Sequence, residues 1–310
     1  MNKIISILKP TGMTSHDVVS VVRKTLNIKK VGHTGTLDPD AAGVLPICIG
    51  KATKVSELIL NKDKSYICEL TLGVTTDTYD SSGEITKKVE GFKFSDDEIK
   101  KAFETQIGQI EQMPPVYSAL KVNGKRMCDL ARSGKADEIN IKPRQVTIKK
   151  IDILSIENDK VMFYVECSKG TYVRSICHDV GQILGCGAHM SFLLRTSSGK
   201  FNLENSITLD ELKEYVENKS LDKYLYDIDY VLSDFKMVLL KDNAINYYVN
   251  GGIIGENRFI KSDYSDKDKL VRVYGKQGFL GTGKLLRKNN LVSVKSDKLF
   301  FDGAENGSNK

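Results

Sequence analysis

The 310-residue sequence has no apolar run near the ~18 residues that a membrane-spanning helix needs, and its start lacks the apolar core and small-residue cleavage site of a secretory signal. A cytoplasmic protein, off the membrane, is therefore expected. Cysteine is sparse: six residues, at positions 48, 68, 128, 167, 177 and 186, without a Cys-x-x-Cys pair. That spacing excludes a disulfide framework and points to reduced, buried thiols. Cys177, His178, Cys186 and His189 lie close in sequence, but adjacent side chains project in different directions, which argues against a zinc site. Gly278 to Lys284 spells G-x-x-x-x-G-K, yet Leu285 stands where a phosphate-binding loop needs a hydroxyl for magnesium. No metal, nucleotide or redox cofactor is expected, and no internal repeat is visible.

What the chain does have is apolar content of 40 %, enough for one large core or a main domain with a smaller one. Its net charge is +6, and residues 121–150 alone carry nine basic against three acidic side chains. A cationic cluster of that kind suits a phosphate-backbone partner, although such runs are also ordinary solvated surface. Ile4 to Leu8 reads as a buried strand, and Val18, Val21, Val22 and Leu26 recur at helical spacing behind Thr14 and Ser15. Tyr66, Cys68, Leu70 and Leu72 alternate with Ile67, Glu69 and Thr71 as in a strand with two unlike faces. Ser95 with Glu98, and Thr208 with Glu211, spell capping boxes. Residues 144–156 and 161–168 read as strands joined around Glu157-Asn158-Asp159. Helix and strand mix without regular βαβ alternation, so the fold class is α+β. Short strands between glycine turns after about residue 230 suggest a small β-rich unit, whose residues 241–310 hold 13 basic and 8 acidic side chains. The domains expected are 1–232, with a basic insertion at about 121–150, then 233–302, then a disordered tail at 303–310.

The most constrained stretch is Gly32-His33-Thr34-Gly35-Thr36-Leu37-Asp38-Pro39. Gly32 and Gly35 permit backbone angles closed to other residues, while Pro39 fixes its own φ and pushes Asp38 towards an extended conformation. The carboxylate is thereby aimed from a loop, where catalytic groups concentrate. Tyr172 and Arg174 are two residues apart, so an extended backbone would put both side chains on one face.

With Lys9-Pro10-Thr11-Gly12-Met13-Thr14-Ser15 before that loop, Ala42 to Lys54 after it, Lys64-Ser65-Tyr66, Gln112 to Lys121, Cys167 to Ser175, Gly185 to His189 and Leu193-Leu194-Arg195, the chain resembles the bacterial tRNA pseudouridine-55 synthases of the TruB type. The resemblance implies the pseudouridine-synthase fold, built on a largely antiparallel sheet, with a PUA-like RNA-binding unit at the C-terminus. It implies an RNA isomerase that converts uridine-55 in the T-loop of tRNA to pseudouridine without a cofactor, acting as a monomer. It further implies that Asp38 is the nucleophile and that Arg174 pairs with it, holding it ionised by lowering its pKa, although that arginine could instead sit on a phosphate. Tyr66 and Tyr172 are then active-site tyrosines, Tyr66 stacking on the base and taking part in proton removal at C5, with Leu193 as an apolar wall. His33 fills the gap left by an extruded base, and Lys9 and Pro10 back the pocket. Lys121, Lys125 and Arg126 are candidate contacts to the RNA backbone. Two other functions remain open from sequence: a non-catalytic tRNA-folding helper on the same scaffold, and a synthase acting on another RNA.

Overall fold

A computed structural model describes residues 1–118, 120–122, 125–133, 141–289 and 291–301. Its centre is a nine-stranded sheet of β1 (Ile4–Lys9), β2 (Val31–His33), β3 (Ala42–Ile49), β4 (Lys64–Leu72), β5 (Gly108–Gln112), β6 (Arg144–Glu157), β7 (Lys160–Cys167), β8 (Ala188–Ser198) and β9 (Phe201–Asn202). The order is β1-β3-β8-β4-β7-β6-β5, with β2 on β3 and β9 on β8. Every pairing is antiparallel except β3 with β8, which run parallel through Ala42 opposite Leu194 and Gly43 opposite Arg195.

The alternation in Tyr66 to Leu72 becomes the burial pattern of β4 from Tyr66 onward, where even-numbered side chains are buried and odd ones are partly exposed. Helices α1 (Ser15–Leu26), α2 (Asp96–Glu104) and α4 (Leu209–Glu217) each begin at a completed capping box, from Thr14 with Asp17, Ser95 with Glu98 and Thr208 with Glu211. Each box satisfies two backbone donors that a helix start would otherwise leave open, worth about 1 kcal/mol per cap. Helix α3 (Val173–Ile183) lays Val173, Ile176, Cys177 and Val180 against β8 and β4 beside α2, in the same core as Leu37 and Ala41 of the Asp38 loop. A second core joins α1 and α4 to β1 and β3. The five cysteines whose side chains are described are buried and free, Cys68 and Cys177 facing each other with Sγ atoms 3.5 Å apart.

From Met237 the chain forms a six-stranded sheet around its own core of Val238, Leu240, Tyr248, Val271, Val273 and Leu280. Gly278–Lys288 is one of its strands, so the G-x-x-x-x-G-K spelling lies on a strand and forms no loop leading into a helix. A shared cluster that includes Ile4, Val55, Phe201, Leu232 and Phe300 packs this unit against the large sheet. The tail from residue 302 lies outside the described residues. Within the basic run at 121–150, residues from Arg144 onward belong to β6, whose Arg144–Ile148 segment pairs with β5 in the large sheet.

The parallel contact imposes a strict demand on Gly43. It has φ +113°, and a Cβ there would stand 2.2 Å from the backbone oxygen of Arg195. Gly43→Ala combines an unfavourable backbone region with overpacking and should cost about 3 kcal/mol or more. Thermal unfolding checks this: a melting temperature equal to wild type would show that the two backbones do not meet so closely.

Candidate active site

The loop between β2 and β3 is held from every side. Leu37 and Ala41 are buried in the core on either side of Asp38. The buried Ser15 hydroxyl brackets Leu37, accepting from its backbone NH at 2.9 Å and lying 3.2 Å from its carbonyl. The Lys9 ammonium donates to the carbonyls of Pro10, Pro39 and Ala41 at 2.7, 3.0 and 2.7 Å. Burial pushes that ammonium down to about 8, with Asp38 and Asp40 pulling the other way. Lys9 thus holds the loop from behind, Pro10 is exposed and supplies only a carbonyl to it, and neither lines the cleft. Of the two glycines read as conformational hinges, only Gly35 uses the freedom, at φ +113°; Gly32 sits in β2 with an ordinary backbone.

Asp38, Tyr66, Tyr172, Arg174 and Leu193 all line one cleft of about 1300 Å³. That exceeds the 300–1,000 Å³ usual for small-molecule pockets and leaves room for a nucleotide with flanking groups. Nε of Arg174 lies 3.3 Å from Oδ2 of Asp38, with the carboxylate side chain 41 % exposed and the arginine only 7 %. The acid is thus far more open to a ligand than its partner. The other guanidinium nitrogens are committed too: Nη1 donates to the Thr78 carbonyl at 3.0 Å and to Oδ2 of Asp80 at 3.1 Å, and Nη2 donates to the Tyr117 carbonyl at 3.0 Å.

The expected consequence of that pair needs correcting. The Asp38 carboxyl is raised above the ordinary aspartate value, because burial at the cleft floor outweighs Arg174 and Asp80 adds a second negative charge. The arginine limits the rise and orients the group without reversing the direction. A second correction concerns backbone. Tyr172 is extended, but Arg174 is already in the first turn of α3, so the pair does not share a strand face. Val173, Ile176, Cys177 and Val180 stand at helical spacing and win that segment. The Gln112 side-chain amide accepts from the Tyr172 NH at 2.8 Å and donates to the Tyr172 carbonyl at 3.0 Å, fixing the tyrosine just ahead of the helix.

Tyr66 is buried on β4, and its phenol is pushed up to about 12 by that burial. His33 does not line the cleft; it packs edge-on against His16, which does, with ring centroids 5.2 Å apart. Burial pushes His33 down to about 4, and its Nδ1 has no hydrogen-bond partner among the described residues. The backbones of Lys121, Lys125 and Arg126 form a short hairpin, but their side chains lie outside the described part of the structure, as do residues 134–140 of the basic run.

Three functional candidates were not singled out from sequence. Asp80 uses Oδ1 to accept from the Thr78 hydroxyl at 2.7 Å and the Ser82 NH at 3.0 Å, which leaves Oδ2 to grip Arg174. Phe192, next to Leu193, is 40 % exposed and lines the cleft. Arg195 lies fully buried beneath Tyr66. Only the run of hydroxyls around Asp80, Thr76 to Ser82, gave a local hint.

The TruB family pseudouridylate synthase N-terminal-domain model matches residues 23–173, and the tRNA pseudouridylate synthase B C-terminal-domain model matches residues 174–233. The junction falls inside the first turn of α3, a single structural element. tRNA pseudouridine synthase B of Clostridioides difficile (strain 630) is 73 % identical over 301 residues, covering 97 % of this chain and 100 % of the relative. The protein of the same name from Alkaliphilus oremlandii (strain OhILAs) is 48 % identical over 97 % of this chain and 99 % of its own. Among solved structures, a Cbf5-Nop10-Gar1 complex matches with TM-score 0.75 and 29 % identity over 96 % of this chain and 85 % of that one. An H/ACA RNP bound to a substrate RNA containing 2'-deoxyuridine matches with TM-score 0.74 and 27 % identity, over 96 % and 85 %. Two family models in order and relatives matched along nearly their whole length place the chain in the TruB family: it is a pseudouridine synthase.

Proposed function

We propose that this enzyme converts uridine-55 in the T-loop of tRNA to pseudouridine, with the target nucleotide swung out of its stack into the cleft and Asp38 as the nucleophile. The observation that carries this is the Asp38 carboxylate, open to the cleft floor and clamped from behind by Arg174. The relatives' names supply tRNA as substrate, and the solved H/ACA RNP carries a substrate RNA. Isomerisation breaks N1–C1′, turns the uracil and joins C5 to C1′; C5 loses a proton and N1 gains one. A carboxylate can attack covalently or stabilise positive charge at the sugar, then leave. The flat Tyr66 ring and apolar Leu193 hold a base that must turn without fixing one orientation, and Tyr66 takes the C5 proton. His33 behind the rim replaces lost stacking in the RNA, a role served by a neutral ring, as burial keeps it. Lys121, Lys125 and Arg126 hold RNA backbone, and the β-rich unit at 233–302 acts as a PUA-like RNA-binding module, in keeping with its cationic excess. The enzyme works as a cytoplasmic monomer that reads mainly the folded shape of the T-arm. Mapping the product in tRNA transcripts tests the site: pseudouridine at any position other than 55 would overturn the assignment.

A pH dependence follows from the raised Asp38 pKa. Attack needs the ionised carboxylate, and protonation takes it away at a higher pH than the ordinary aspartate value of 3.8. The acid limb of kcat/KM should therefore lie above that value, and His33, pushed down to about 4, should not add a limb near neutrality. Single-turnover rates across an acid series check this, with an enzyme still fully active at pH 4 as the contrary result.

A further inference from the structure

Arg195 is among the largest fully buried side chains of the described residues, and no carboxylate among those residues pairs with it. An unpaired buried cation is costly, so its retention calls for a purpose. Its Nε donates to the Val44 carbonyl at 2.6 Å and its Nη2 reaches the Gly35 carbonyl at 3.3 Å, tying β8 to β3 and to the start of the Asp38 loop. Across the β4–β8 pairing it stands directly opposite Tyr66, so the buried guanidinium and the phenol ring share one face of the sheet. The surrounding basic groups offer it no counter-charge: Lys9 and Lys64 are themselves cations that it repels, and His33 is held neutral by burial. Among the described residues, the group placed to become an anion against this guanidinium is the phenol of its cross-strand partner Tyr66.

We propose that Arg195 is a positioning residue for the reaction, holding the Tyr66 phenol and serving as the fixed counter-charge of the phenolate that takes the proton from C5. This rests on the proton-transfer role proposed above for Tyr66. The step balances: the phenol first gives its proton to water, the C5–H bond then breaks with its electron pair returning to the uracil ring, the C5 proton passes to the Tyr66 phenolate and restores the phenol, and N1 takes up the proton that water received. Tyr66 and Arg195 both border the cleft, which sets the phenol beside the guanidinium where the base is held. The other charged or titratable groups acting on Tyr66 are Asp38 and the Cys167 thiol, and both oppose ionisation. Arg195 alone favours it.

The test installs a ring-fluorinated tyrosine at position 66, whose phenol titrates at accessible pH, and follows it by fluorine NMR in otherwise wild-type protein and in Arg195→Gln and Arg195→Lys. Loss of the guanidinium should move the titration upward by about a pH unit or more in Arg195→Gln and by less in Arg195→Lys. In the natural-tyrosine background Arg195→Gln should slow tritium release from C5-labelled uridine about 100-fold or more, the scale of a lost proton-transfer group, with RNA binding retained. An unchanged titration in a folded Arg195 variant overturns the inference, and if Arg195→Gln does not fold, Arg195→Lys alone decides. Tyr66→Phe separates the two claims: turnover at the wild-type rate removes Tyr66 from the chemistry, whatever the titration shows.

Discussion

Arg174→Met should unfold more easily than wild type by about 3–5 kcal/mol and lose nearly all activity, because one guanidinium holds two carboxylates and two backbone carbonyls. Arg174 is almost wholly buried and Asp80 nearly so, so water cannot replace the lost partner cheaply. Removing one member of a buried pair leaves the other's desolvation uncompensated, whereas an exposed pair would be worth ~1 kcal/mol or less. Arg174→Lys keeps the charge but cannot reach Asp38, Asp80, Thr78 and Tyr117 together from a single ammonium, so it should recover part of the stability and little of the rate. Denaturant unfolding and single-turnover kinetics on both variants check this. A lysine variant as fast as wild type would mean that charge alone matters and the fork geometry does not.

Asp38→Asn should show the opposite combination. Activity should fall by about 10⁴-fold or more, as expected when a covalent nucleophile is removed. Stability at neutral pH should stay level or rise. The sign follows from linkage: an acid whose pKa is raised in the folded state binds its proton more tightly there than when unfolded, so ionising it costs stability as pH climbs past 3.8 and through the raised value. Asparagine removes that cost, and Arg174 keeps Asp80 as its partner. Melting curves at neutral pH alongside activity measure both halves. An inactive variant that also melts well below wild type would recast Asp38 as a structural residue.

Local order was largely legible in the sequence. The alternation from Tyr66 to Leu72 and the boxes at Ser95 and Thr208 depend on neighbours a few residues apart, and the structure carries them directly. The Asp38 loop was legible because glycine and proline restrict their own backbones, although it is Gly35 and not Gly32 that departs from ordinary angles. What escaped depends on distant partners. The helical spacing from Val173 to Val180 was present, but the short interval between Tyr172 and Arg174 suggested a strand. The grip of Asp80 on Arg174 spans 94 residues, and the place of Arg195 beneath Tyr66 follows from strand β8 inserting between β3 and β4. The net rise at Asp38 depends on burial and on Asp80, and neither can be counted from sequence.

The most direct measurement places tritium at C5 of uridine-55 alone in a tRNA transcript and follows its release in a single turnover with saturating enzyme. Wild type should release the label, while Asp38→Asn, folded and binding the RNA as tightly, should release none above background. Equal release from the two proteins would contradict the account at its centre.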